Sequence, residues 1–279
     1  MLRGDLVHPV ISGNKLWKLK YNLEEAGRLG KERLVTFGGA FSNHLLAVAC
    51  AGASLGFQTL GIVRGEERMD SAVLKQCRQF GMQLLQVSRS EYRDKDELVR
   101  RLNLERAENY ILPEGGTNAL AVRGCAEAVP SDPAFDHLFV PVGTAGTLAG
   151  FALGASRVMP QASVEGIVVL KGGEFLRDTV RELIPEQPNW KLHLEFHGGG
   201  YARVDDRLRK FMQRFAAQTG ILLDPIYTGK MMRAVFELAA ENYFRSGSSI
   251  LCVHTGGLGD VSAQLNRTTE GSGQAGKSR

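Results

Sequence analysis

Gly143-Thr144-Ala145-Gly146-Thr147 is the stretch of this chain best suited to chemistry by residue type and spacing. It separates an apolar run of strand length, His137 to Val142, from a helical pattern over Thr147 to Arg157. The N–H groups of such a loop and of the helix N-terminus behind it form a seat for a phosphate, and the threonine hydroxyls add donors. The loop has no Lys of the kind that serves nucleoside triphosphates, and it is not a G-x-G-x-x-G turn opening an early βαβ unit, so a nucleotide-binding module is a poor fit. One phosphate on a neutral Gly/Thr loop suits a phosphorylated cofactor such as pyridoxal phosphate (PLP). That cofactor needs a Schiff-base lysine, a phosphate cup, a group on its pyridine nitrogen and a donor near its ring hydroxyl. Spacing alone does not single out the lysine.

The elements around the loop alternate. Helical patterns run from about Lys15 to Leu29 (opened by Asn14, stopped by Gly30), Leu45 to Ala53, Ser71 to Phe80, Arg89 to Glu105, Asp206 to Thr219 and Lys230 to Phe244. Strand-length runs fall at Arg33–Phe37, Gln58–Val63, Met82–Val87, Tyr110–Leu112, Val164–Leu170, Lys191–Phe196 and Ser249–Val253. This alternation predicts an α/β fold with mostly parallel, doubly wound sheets. The 33 glycines exceed the ~7% of average usage. Many stand just after predicted strands, at Gly38-Gly39, Gly115-Gly116, Gly143, Gly172-Gly173, Gly198-Gly199-Gly200 and Gly256-Gly257. In open parallel sheets ligands bind beyond the carboxyl ends of strands, where glycine lets backbone come close. Any one pair is explained by an ordinary turn; six such loops favour a shared ligand crevice.

A net charge of +4, dispersed along 279 residues, is too mild for a nucleic-acid surface. The four cysteines (Cys50, Cys77, Cys125, Cys252) show no metal-ligand spacing and read as free thiols. Met1 to Pro9 has no apolar signal core, and the most apolar stretch, Leu45 to Phe57, is too short to span a bilayer. These observations predict a cytoplasmic protein with no metal, no nucleic-acid partner and no membrane partner.

Ser12-Gly13-Asn14-Lys15-Leu16-Trp17-Lys18-Leu19-Lys20-Tyr21 resembles the Schiff-base motif of the 1-aminocyclopropane-1-carboxylate (ACC) deaminase / D-cysteine desulfhydrase family of PLP enzymes, of the tryptophan-synthase-β-like fold type II. The likeness continues at Thr36–His44, Pro113–Asn118, the phosphate loop, Leu170–Glu174, Asp224–Lys230 and His254–Leu258. Seven blocks in order cover about residues 5 to 260.

The resemblance implies that Lys15 carries the cofactor and later moves the α-proton. It gives Ser42 the substrate carboxylate or a proton-transfer role, and Asn43 the ring hydroxyl. Ser42-Asn43 also reads as a plain helix N-cap, and the two roles are compatible. Gly143, Thr144, Ala145, Gly146 and Thr147 become the phosphate cup, and Tyr201 and Tyr227 two active-site tyrosines. His44 stands between a cofactor contact and a structural one. Thr228 occupies the place where the deaminase branch carries Glu. A neutral threonine there predicts a mostly unprotonated pyridine nitrogen and a weaker electron sink, suited to expelling a β-leaving group.

The implied activity is α,β-elimination from a small amino acid, most like D-cysteine to pyruvate, hydrogen sulfide and ammonia. The alternative is ACC deaminase, giving α-ketobutyrate and ammonia. The family also implies two twisted sheets flanked by helices, with a large PLP-binding domain over 1–33 and 132–265, a small inserted domain over 34–131, and a homodimer. Residues 266–279 read as a disordered tail. Family members carry more chain before the motif than Arg3-Gly4-Asp5-Leu6, Trp17 stands where the deaminase branch tends to have Arg, and the chain after Leu258 departs from the family's closing helix. A PLP-binding protein inactivated by amino-terminal truncation is therefore a further alternative.

Overall fold

Arg33–Gly39 shows why this chain builds parallel sheets: its five central residues are buried, as a strand covered on both faces requires. In the computed structural model, which describes residues 1–65, 71–131, 135–186 and 188–257, that strand (β2) lies inside a four-stranded sheet. The order is β4 (Gln83–Val87), β3 (Gln58–Arg64), β2 and β5 (Asn109–Ile111). A five-stranded sheet has the order β1 (Leu2–Arg3), β9 (Ile250–His254), β6 (His137–Val142), β7 (Ser163–Val168) and β8 (Trp190–His193). Every ladder in both is parallel. Leu258 and the tail expected over 266–279 lie outside the described residues.

Nine helices among the described residues cover the sheets: α1 (Asn14–Arg28), α2 (Asn43–Leu55), α3 (Ala72–Gln79), α4 (Lys95–Arg101), α5 (Ala119–Ala126), α6 (Gly146–Val158), α7 (Leu176–Leu183), α8 (Asp206–Thr219) and α9 (Thr228–Ala240). Helix α2 is buried almost all round, from His44 to Gly52, which explains its unbroken apolar sequence. Helices α1, α5 and α6 stack closely because glycines meet backbone or Cβ atoms there. Gly124 lies on the Trp17 carbonyl, Gly150 on Cys125, and the Trp17 and Phe151 rings are 5.5 Å apart.

Several elements differ from the sequence expectation. The charged helix expected over Arg89–Glu105 is a 3-10 turn, Glu91–Arg93, followed by the short α4. Asp94 breaks it by capping α4 through the Glu97 N–H at 2.9 Å, and Asn103, with φ of 50°, ends it. The strand expected over Lys191–Phe196 stops at His193 and turns into a 3-10 segment, Glu195–His197. Helix α9 starts two residues earlier than expected and ends at Ala240. Helix α7 was not expected; Leu176, Val180 and Leu183 recur at helical spacing, but the helix is only eight residues long and buries just Leu176 and Val180. Strand β1, at two residues, is below what alternation can signal.

No helix among the described residues is long and apolar enough to cross a membrane. The four cysteines are buried free thiols.

Candidate active site

A half-buried lysine, Lys15, and a buried one, Lys18, one helical turn apart define the candidate site. Helix α1 begins where Gly13, with φ of 63°, packs against the backbone of Thr255, an approach that no side chain could share. The Asn14 side-chain amide donates to Thr147 Oγ1 at 2.8 Å, tying the start of α1 to the start of α6. Lys15 follows at once, makes no hydrogen bond among the described residues, and has its pKa lowered to about 7 by burial and by the charge of Lys18. Lys18 is 1% exposed. Its ammonium donates to the Gly115 carbonyl at 2.9 Å, Thr117 Oγ1 at 3.0 Å and Thr144 Oγ1 at 3.4 Å. All three acceptors are neutral, and burial lowers the pKa of Lys18 to about 8. The nearby Cys125 thiol, pushed up to about 11 by burial, supplies no anion.

The loop before α6 completes an electropositive pocket. Ala145 occupies the N-cap position with φ of 62° and no side-chain cap; the Gly146 N–H goes to the Thr144 carbonyl at 2.8 Å, and the N–H groups of Thr147 and Leu148 are left for a ligand. Thr144 and Thr117 join through their hydroxyls at 2.7 Å. A Cβ on Gly146 would stand 2.9 Å from Thr117 and 3.2 Å from Lys18 Nζ, and one on Gly143 would stand 3.0 Å from Tyr227. Gly143, Thr144, Ala145, Gly146 and Thr147 thus pack among Asn14, Lys18, Thr117 and Tyr227.

The other residues singled out by sequence surround this core. Ser42 caps α2 by accepting from Leu45 N–H at 3.3 Å. Asn43 lines a narrow cleft with Phe41, Asp224 and Gly257. Tyr201 and Tyr227 meet edge to face with centroids 6.1 Å apart. Burial pushes the Tyr227 phenol well above its usual range, and Tyr201 pushes it in the same direction. His44 is buried; its Nε2 lies 2.9 Å from Thr36 Oγ1, whose own hydrogen goes to the Leu112 carbonyl. Its Nδ1 is buried without a partner, and burial with the charges of Lys15 and Lys18 keeps the ring neutral. Thr228 opens α9 with its hydroxyl 2.7 Å from the Asp224 carboxylate.

Lys18, Thr117 and Asp224 were missed by sequence reasoning. Lys15, Lys18 and Asn22 recur at helical spacing, a polar stripe beside the apolar face of α1. That stripe is the signal that could have placed Lys18 inward.

A phosphorylated aldehyde fits these residues. The uncapped N-terminus of α6 and the Lys18 ammonium, which has no carboxylate partner among the described residues, call for an anion. Lys15 is an amine deprotonated enough to attack a carbonyl. His44 Nδ1 is a buried acceptor awaiting a donor.

Comparison with known proteins agrees. The family model described as "Pyridoxal-phosphate dependent enzyme" matches residues 4–256. A Thermotoga maritima protein provisionally named a 1-aminocyclopropane-1-carboxylate deaminase is 30% identical, over 95% of this chain and 90% of its own. A protein named D-cysteine desulfhydrase from Klebsiella pneumoniae is 29% identical, over 91% of this chain and 85% of its own. The crystal structure of an ACC deaminase homologue superposes with a TM-score of 0.82 at 28% identity, over 94% of this chain and 86% of that one. The chain belongs to the pyridoxal-phosphate-dependent enzymes, in the fold of two parallel sheets that the ACC deaminase homologue shares.

Proposed function

We propose that this protein is a PLP-dependent lyase that eliminates the β-thiol of D-cysteine, yielding pyruvate, hydrogen sulfide and ammonia with the uptake of one water. The observation that carries the reading is the Lys15–Lys18 pair, a near-neutral amine one turn from a buried ammonium, beside the uncapped start of α6. The names of the relatives, desulfhydrase and ACC deaminase, support the same class.

In this reading Lys18 and the free N–H groups of the loop over residues 143–147 would hold the phosphate, Lys15 would hold the aldehyde carbon, Asn43 the ring hydroxyl and Thr228 the ring nitrogen. When bound, PLP supplies the electron sink for breaking the α-C–H bond. Lys15 would take the α-proton of the substrate; a pKa of about 7 suits a base at neutral pH. Ser42 and the N-terminus of α2 hold the substrate carboxylate. Tyr201 and Tyr227, both phenols with a raised pKa, stay protonated and donate hydrogen bonds to the departing sulfur. The four-stranded sheet with α2 to α4 forms the small domain over 34–131, and the five-stranded sheet the large one over 1–33 and 132–265. A cytoplasmic homodimer completes the proposal.

A second reading, ring opening of ACC, draws on the Asp224 carboxylate behind Thr228. The test starts with the visible absorbance of PLP-loaded protein, expected in the wild type and lost in Lys15→Ala. Pyruvate released from D-cysteine, with 2-oxobutyrate from ACC as the rival product, then separates the two readings. A wild-type protein that takes up PLP without that absorbance sinks both.

A further inference from the structure

The hydroxyl of Thr228 has one hydrogen and two acceptors in reach, of which the Asp224 carboxylate at 2.7 Å is far closer than the Asp224 carbonyl at 3.4 Å. Thr228 Oγ1 donates to Asp224 Oδ2 at 2.7 Å and accepts from the Asp224 backbone N–H at 2.9 Å. The Asp224 carboxylate also accepts from the N–H groups of Ile226 at 3.0 Å, Tyr227 at 2.8 Å and Thr228 at 2.8 Å. Burial raises the Asp224 pKa against the pull of its hydrogen bonds, but four donors converge on the two oxygens and no acceptor faces them among these bonds, an arrangement that suits a carboxylate rather than an acid. Asp224 is 2% exposed, and it lines the same cleft as Asn43. Its negative charge therefore acts over short range with little screening.

We propose that Asp224 is a positioning residue that sets the protonation of the cofactor's ring nitrogen through Thr228. With its hydrogen spent on Asp224, the Thr228 oxygen has a lone pair to offer and no proton. A ring nitrogen facing it gains a hydrogen bond only by carrying the proton itself. The Asp224–Thr228 pair thus does by relay what a directly placed glutamate would do. This reverses the expectation drawn from threonine as an isolated residue, and it strengthens the electron sink enough to bring ring opening within reach of the same site. The inference rests on the reading that Thr228 faces the ring.

The experiment uses holoenzyme loaded with PLP labelled with nitrogen-15 in the ring, read by NMR. The wild type is expected to show the ring nitrogen at its protonated position. Thr228→Val removes the relay and moves the resonance to the neutral-pyridine position. Asp224→Asn keeps an oxygen for the Ile226 and Tyr227 N–H groups but gives up the bond from the Thr228 N–H; its amide donates to the Thr228 hydroxyl oxygen and frees the threonine hydrogen for the ring, so the resonance moves the same way. Circular dichroism and retained cofactor check that each variant is folded. A neutral ring nitrogen in the wild type overturns the relay and leaves the site reading standing. An unchanged resonance in Thr228→Val removes Thr228 from the ring and overturns both.

Discussion

Lys18→Met exchanges the buried ammonium for an apolar chain of similar length, and it should move apo-protein stability and cofactor affinity in opposite directions. Burial takes Lys18 from 10.5 to about 8. At ~1.4 kcal/mol per tenfold change in proton affinity, this corresponds to about 3 kcal/mol against the charged form in the folded apo-protein. The unfolded chain holds the proton more tightly between about 8 and 10.5. Stability therefore rises with pH across that window, and the full penalty is felt below it. At neutral pH the methionine variant escapes the penalty but leaves the Gly115 carbonyl without its donor, which costs about 1–2 kcal/mol. Thr117 and Thr144 keep their bond to each other. The net gain is about 1–2 kcal/mol, or roughly 2–6 °C in Tm.

Loss of the ammonium opposite a phosphate acts the other way. Breaking a buried ion pair costs about 3–5 kcal/mol, so the Kd for PLP should rise about 150- to 4,000-fold. Calorimetry of apo- and PLP-loaded protein at neutral and alkaline pH reads both effects. The alkaline rise in apo-protein stability should weaken in the variant. If Lys18→Met melts lower than the wild type as apo-protein, the ammonium is not under strain. If it binds PLP as tightly as the wild type, Lys18 does not face the phosphate.

Gly13→Ala should cost about 2–4 kcal/mol and lower PLP retention, because the new Cβ runs into the Thr255 backbone at a left-handed φ; thermal melts and cofactor titration read both. Glu165 is buried on β7 and accepts from His137 at 2.6 Å, His193 at 2.8 Å and Tyr243 at 3.0 Å, with Lys191 at 3.4 Å. Burial alone would raise its pKa, but these partners, His193 first, hold it below the usual glutamate value. That stability is present above the ordinary glutamate range and is lost as pH falls through the lowered value. Glu165→Gln should therefore lose about 3 kcal/mol at neutral pH, with the gap to wild type closing in acid; a pH-independent gap in urea unfolding would falsify the assignment. Tyr227→Phe should lower kcat about 100-fold while leaving KM nearly unchanged, as steady-state pyruvate release would register.

The Gly/Thr loop over residues 143–147 was legible because its residues are consecutive. Strand, glycine turn and helix N-terminus follow one another from His137 to Val158, and the structure keeps that order. Lys18 was hidden because a lysine in an amphipathic helix normally faces water, and only the contact of α1 with both α5 and the Gly115 turn turns this one inward. Asp224 was hidden for a different reason: its partners are backbone N–H groups two to four residues ahead, and nothing in residue type distinguishes such a cap from a surface turn. The broken helix around Asp94 lies where charge is dense and burial slight, whereas α7 keeps helical spacing of its apolar residues but at eight residues is too short to stand out.

The glycine-rich strand ends invite a sharper account than ligand access alone. A Cβ on Gly115 would stand 2.7 Å from Thr144 Oγ1, one on Gly257 2.9 Å from the Asn43 amide, and one on Gly116 2.8 Å from the His44 ring. Gly13 meets Thr255 more closely still. In each case the glycine belongs to one strand-end loop and its neighbour to another segment of the site. These glycines therefore let the loops interlock and fix where Lys15, Lys18, Asn43 and Thr144 stand relative to one another. Preorganisation of that kind holds a base and an anion cradle in register without a ligand to order them. An alanine at Gly115 would then push on Thr144 and Lys18 together, so its cost should be shared between stability and cofactor affinity. An alanine at Gly30, which meets nothing within 4 Å, should cost only the strain of its left-handed φ and leave the site untouched.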